Sequence, residues 1–202
     1  MSFEPSKWTQ IISADPGHSR RYIERFEMMA AAGHDLLGEA RTVDAMVPRN
    51  ARILDAGCGP GRHGGHLMSL GHTVVGVDGD PTLIKTAQAM HPGATWVVSD
   101  LAELDLASRG IAADFDAILC AGNVMGFLAP STRVTVLERF RQHLADDGRA
   151  VIGFGAGRGY EFDDFFGDLD AAGLSLDLAL STWDLRPYRA GDGFLVALCG
   201  RG

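Results

Sequence analysis

The chain has 202 residues, enough for one large domain or two very small ones. Hydrophobic residues make up 46% and charged residues 22%, which excludes a disordered polypeptide, and the 26 glycines follow no collagen-like period. A net charge of -8 argues against a broad nucleic-acid-binding surface, and no uncharged apolar run approaches the roughly 20 residues that span a bilayer. Cys58, Cys120 and Cys199 are odd in number and irregular in spacing, so they form no disulfide framework. The stretch Met1-Ser2-Phe3-Glu4-Pro5 has no basic-then-apolar leader pattern, and the expectation is a cytoplasmic protein.

Residues 1–17, punctuated by Pro5 and Pro16, read as irregular. From Ser19 the pattern turns helical, with Tyr22, Ile23, Phe26 and Met29 on one face, until Gly33 interrupts it. Leu36, Leu37, Ala40, Val43 and Val47 give a second helix ending before Pro48. Residues 1–48 are thus expected to form a cap of two amphipathic helices on a core of residues 49–202, the whole chain being a single compact unit. From residue 51 short apolar runs alternate with helical segments. The runs Arg52–Asp55, Thr73–Asp78, Trp96–Asp100, Asp116–Cys120 and Ala150–Phe154 are short and nearly continuous, as in strands buried on both faces of a parallel sheet. Asp80-Pro81 reads as a cap and first-turn proline opening a helix, and Ser131 as the cap of another whose stripe is Val134, Leu137, Phe140 and Leu144. After a helix near Tyr160–Ala172, Leu174–Asp184 and Gly193–Cys199 read as two strands with no helix between them, which should pair antiparallel. The alternation implies a doubly wound, Rossmann-like α/β fold.

The chemistry concentrates after the first strand. In Asp55-Ala56-Gly57-Cys58-Gly59-Pro60-Gly61 three glycines alternate ahead of a helix. Glycine permits a tight turn and lets a ligand lie against bare backbone, while the helix N-terminus presents unpaired N–H groups to an anionic group. Gly59-Pro60-Gly61-Arg62-His63-Gly64 also satisfies the G-x-G-x-x-G dinucleotide pattern, so the turn alone does not separate one nucleotide cofactor from another. Asp78 ends the second strand at the distance expected of a ribose-binding acid, and Asp100 ends the third. With Asp55, three carboxylates stand at the carboxyl ends of successive strands, the edge where open α/β sheets bind ligands.

The stretch from about residue 51 to 155 resembles the class I S-adenosylmethionine (SAM)-dependent methyltransferases, especially small-molecule enzymes of the ubiquinone-biosynthesis type. Ile53 to Gly61 matches that family's first motif, Val75-Gly76-Val77-Asp78 its second, Ser99-Asp100-Leu101 its third, and Phe115–Cys120 its fourth-strand motif. The resemblance implies a seven-stranded sheet closed by the antiparallel pair. It implies that Asp55 and the backbone from Gly57 through Cys58 and Gly59 to Gly61 hold the methionine moiety. Asp78, followed by Gly79, would take the ribose hydroxyls. Asp100 and the Leu101 N–H would meet adenine, and Ala121 and Gly122 would lie beneath the sulfonium.

Methyl transfer from a sulfonium is an in-line displacement in which orientation and desolvation do most of the catalysis, so no dedicated catalytic motif is required. Asn123-Val124-Met125-Gly126 does not resemble the Asn/Asp-Pro-Pro-aromatic motif of amino-methylating nucleic-acid enzymes, and no Pro-Cys pair appears. A small-molecule acceptor follows, for a monomer or homodimer. Its pocket is expected to draw on Asn123, Met125 and Phe127, on Arg158, Tyr160 and Phe162, and on Tyr22 and Phe26 from the cap. His63 and His66 share a helix face without a third ligand, so no metal site is expected; their surface position is the expectation, with His63 a candidate general base. Two other readings stay open. One is a non-catalytic SAM-binding regulator. The other is a NAD-dependent oxidoreductase, for which Asp100 has no role and a Tyr-x-x-x-Lys pair is missing.

Overall fold

The computed structural model describes residues 3–202. Five of the apolar runs fold as β1 (Arg52–Ala56), β2 (Thr73–Asp78), β3 (Thr95–Val98), β4 (Phe115–Cys120) and β5 (Leu144–Gly155), followed by β6 (Leu174–Leu180) and β7 (Phe194–Arg201). They form one seven-stranded sheet in the order β3-β2-β1-β4-β5-β7-β6. Strands β1 to β5 pair in parallel, whereas β7 lies antiparallel between β5 and β6. The order reverses beside β1, whose neighbours β2 and β4 lead to opposite halves of the sheet. Past the carboxyl ends of β1 and β4 lies the crevice that such reversals create.

Successive strand residues point to opposite faces, and both faces are covered. Leu54, Val75, Ile118 and Phe154 belong to one apolar cluster; Ile53, Val74, Leu119 and Val151 belong to the other. Ile53 and Leu54 are both fully buried, which is why the strands read as continuous apolar runs.

Among the described residues eight α-helices surround the sheet: α1 (Lys7–Ala14), α2 (His18–Ala31), α3 (Gly38–Met46), α4 (Arg62–Ser69), α5 (Pro81–Met90), α6 (Val124–Phe127), α7 (Arg133–His143) and α8 (Phe162–Ala171). Three of them, not two, precede β1. The segment expected to be irregular contains α1, capped where Ser6 Oγ accepts the Thr9 N–H at 3.1 Å. The leucines Leu36 and Leu37 lie ahead of α3 rather than within it. Asp80 caps α5 as expected, accepting from Thr82 N–H at 2.8 Å, with Pro81 in the first turn. Ser131 does not cap α7: it sits in a preceding 3-10 turn, and its hydroxyl donates to Glu4. Leu144 begins β5 instead of completing the helix stripe.

Trp96 on β3 explains why Gly61, Gly64 and Gly76 are small. A Cβ on Gly76 would lie 2.2 Å from the indole, and on Gly61 and Gly64 2.8 and 2.9 Å from it. The ring therefore fills the space those side chains would need, and its Nε1 donates to the His91 carbonyl at 2.9 Å. Gly76→Ala should destabilise the chain by about 1–3 kcal/mol through overpacking. A lower urea midpoint, with part of the loss recovered in a Trp96→Leu background, is the expected result; an unchanged midpoint contradicts this packing.

Candidate functional site

The turn after β1 depends on left-handed backbone at Gly57 (φ 77°), Gly59 (φ 56°) and Gly61 (φ 84°). The N–H groups of Gly57 and Cys58 donate to Val77 O at 2.8 and 3.0 Å, which lashes the turn to β2. A side chain at Gly57 would run into Val124 at 2.3 Å. Asp55 lies behind the turn, 1% exposed, where Oδ2 accepts the Gly64 N–H at 2.8 Å. Burial pushes its pKa up, and nearby His63, the Gly64 N–H and Arg62 oppose that. Asp78 sits at the rim of the turn: Oδ2 accepts from Gly59 N–H and Oδ1 from Asp80 N–H, both at 2.9 Å. Burial dominates there too and raises its pKa to about 6, against the pull of those two N–H groups.

Asp80 joins this turn to the N-terminal helices. Its Oδ1 caps α5, while Oδ2 accepts from Trp8 Nε1 on α1 at 3.0 Å and from Ser19 Oγ on α2. The carboxylate is 1% exposed, so these donors replace the water it has lost. Trp8 then packs edge-on against Tyr22 and Phe127, with ring centroids 5.2 and 5.6 Å away.

The result is a cleft, partly open to solvent, that runs from the glycine turn to α1 and α2. Of the residues singled out from the sequence, Gly57, Cys58, Gly59, Asp78, Gly79, Asp100, Leu101, Ala121 and Gly122 line it together. Asp100 uses one carboxylate oxygen on the Ala102 N–H at 2.8 Å. Tyr22, Phe26, Phe127 and His63 also face the cleft. Gly61 lies against Trp96 instead.

Five acceptor-pocket candidates lie outside the lining. Asn123 turns back at φ 65° and accepts the Gly155 N–H on Oδ1 at 2.8 Å. Met125 is fully buried beside Cys120. Tyr160 is fully buried, stacked near Phe154, and donates to Asp168 at 2.6 Å, while Phe162 packs on Phe154. Arg158 is exposed, with its stem over Gly126. Sequence reasoning missed Trp8 and Thr9 on α1 and Val124 and Leu128 at α6, all of which line the cleft. The spacing Trp8, Ile11, Ile12 was the available signal.

His63 is buried, not on the helix surface as expected, whereas His66 remains half-exposed. Glu39 from α3 reaches to within 3.5 Å of His63 Nε2 and 3.7 Å of Arg62 Nη1. Burial would raise the Glu39 pKa, but His63 and Arg62 more than offset it and hold the carboxyl at about 2. Among the described residues no group of three or more His, Cys, Asp or Glu side chains could hold a metal ion, and no helix is long and apolar enough to cross a membrane.

This geometry fits SAM. The glycine cradle has no room for a Cβ at Gly57, and two acids, Asp78 at the end of β2 and Asp100 two residues beyond β3, face the cleft. A family model described as a methyltransferase domain matches residues 53–148. No curated protein sequence matches the chain. A TehB-like SAM-dependent methyltransferase from Corynebacterium glutamicum is 50% identical, covers 93% of this chain and 100% of its own, and superposes with a TM-score of 0.89. The CcbJ methyltransferase of Streptomyces caelestis (17% identity, 82% of this chain and 94% of its own, TM-score 0.71) has the same fold. So does the 1,6-didemethyltoxoflavin-N1-methyltransferase of Burkholderia thailandensis, with 19% identity over 100% of this chain and 92% of its own and a TM-score of 0.65. The half-identical relative is TehB-like rather than of the ubiquinone-biosynthesis type, so the resemblance stands at the level of the class. With its seven-stranded sheet, its glycine turn and a half-identical relative spanning nearly its whole length, the chain belongs to the class I SAM-dependent methyltransferases.

Proposed function

We propose that the chain methylates a small organic acceptor lodged in the outer part of the cleft, between the glycine turn and the helices that precede residue 48. The observation that carries this reading is the wall of Trp8, Tyr22, Phe26 and Phe127 facing the turn. Tyr22 comes within 3.8 Å of the space above Gly59. An enclosed aromatic wall excludes water and orients a compact apolar body, the two contributions a sulfonium methyl transfer needs from a protein. Bound SAM supplies an activated methyl and its own leaving group. In this reading Asp78 accepts the ribose hydroxyls, Asp100 and the Leu101 N–H meet adenine, Ala121 and Gly122 support the sulfonium end, and the helices before residue 48 form the cap. The same enclosure favours a small molecule over a nucleic acid, in line with the acidic net charge.

Asp78 gives this reading a pH signature. Ribose hydroxyls donate to the carboxylate and not to the acid, and Asp78 ionises at about pH 6. Affinity for S-adenosylhomocysteine, measured by calorimetry, should be constant above pH 7 and fall about tenfold per pH unit below 6 as Asp78 protonates. Asp78→Asn should flatten that dependence and weaken binding at pH 8 by about 10- to 100-fold, given about 1.5–3 kcal/mol per charge-assisted bond. Affinity of the parent chain that is flat from pH 8 to pH 5 refutes the assignment.

The same shift has the opposite sign for folding. The fold prefers Asp78 protonated, so this contribution to stability is full below the unfolded carboxyl pKa and lost as pH rises through 6. Asp78→Asn should therefore weaken the ligand at pH 8 while changing the urea midpoint of the ligand-free chain little, because relief of the buried charge is offset by an amide NH2 facing one of the two N–H donors. A variant that loses both would mean that Asp78 holds the fold together rather than the cofactor.

A further inference from the structure

Among the titratable groups lining the cleft that SAM binding, as assigned above, does not use is an imidazole. His63 on α4 is 6% exposed and lines the cleft, yet its Nε2 is sealed from solvent without a hydrogen-bond partner. Such an orphan is unusual, because buried polar atoms in folded chains nearly always find a partner. Glu39 Oε2 stands 3.5 Å from that nitrogen, just beyond hydrogen-bond length, and arrives from α3. Glu39 is not part of the cleft lining, so it stands behind the imidazole and not beside the ligand. Nδ1 has no protein partner. The charged groups around the ring are Glu39 on α3, Arg62 on α4 and Asp55 on β1; Arg62 also donates to the Leu36 carbonyl and sits 5.1 Å from the Phe26 ring.

We propose that Glu39 and His63 form a carboxylate–imidazole dyad in which Glu39 holds Nε2 protonated and so presents the Nδ1 lone pair to the cleft as a general base. The inference rests on the methyltransferase reading above and narrows it: the acceptor is of the class that arrives with a proton on its accepting atom, a hydroxyl, a thiol or a protonated nitrogen. In the step, the acceptor's lone pair forms the new bond to the methyl carbon as the carbon–sulfur bond breaks, its electron pair going to sulfur to leave the neutral thioether. The acceptor's proton passes to Nδ1, and the imidazolium later returns it to water. His63 is the base and Glu39 its positioning residue. The 3.5 Å separation suits a contact that tightens when the cleft fills.

The test uses the full chain with S-adenosylhomocysteine bound. Long-range proton–nitrogen spectra at pH 8 should show His63 with Nε2 protonated and Nδ1 carrying the lone pair, and Glu39→Gln should shift the ring toward a mixture of tautomers. A His63 ring with Nδ1 protonated overturns the proposal, and so does a tautomer indifferent to Glu39→Gln. Calorimetry supplies the second arm. His63→Gln and Glu39→Gln should both bind S-adenosylhomocysteine within about twofold of the parent chain, which also shows that they fold. A loss of tenfold or more would assign the pair to the amino-acid end of the cofactor and overturn its role as a base. Failure of the parent chain itself to bind would sink the underlying methyltransferase reading instead, so the two failures are distinct.

Discussion

The site hangs on one buried carboxylate. Asp80 caps α5, receives Trp8 from α1 and Ser19 from α2, and donates its own N–H to Asp78. A carboxylate this deeply buried is costly unless its oxygens are fully occupied, and here one oxygen serves the fold while the other serves the cap. Helices α1 and α2 are thereby held to the same short segment that carries Asp78.

Around that link the molecule divides its labour. The sheet and the helices on its two faces bury the apolar bulk and set five parallel strands with their carboxyl ends toward the cleft. The glycine turn supplies backbone without side chains. Helices α1, α2 and α6 supply the aromatic wall, and Glu39 on α3 stands beside the one imidazole that lines the cleft among the described residues. Chemistry and specificity are thus carried by the segments outside the strands, as expected where a common fold serves many acceptors.

How much of this was legible in the sequence follows from where the determining contacts lie. The strands, the turn, Asp78, Asp100 and the Asp80-Pro81 cap are written locally, in period and in turn chemistry, and they were readable. The acceptor side was readable only in part. In the segment after β4, α6 turns Met125 inward and leaves Val124, Phe127 and Leu128 to face the cleft, a phase that so short a helix does not reveal. Tyr160 reads as a pocket candidate at the start of a helix, yet it belongs to the cluster around Phe154 and Phe165. Trp8 was hidden by two prolines that bracket a real helix rather than a loop. Gly61 and Gly64 read as turn glycines and Gly76 as a strand residue, while the reason for their size is Trp96, up to 35 residues away along the chain.

The central claim is that this cleft is shaped for SAM and not for a nicotinamide dinucleotide, although the glycine pattern of the turn admits both. Calorimetric titration of the full chain at pH 8 with SAM and, separately, with NAD tests it most directly. Saturable binding of SAM at one site per chain, with no heat from NAD, is the result this account predicts. Saturable binding of NAD with none of SAM would contradict it.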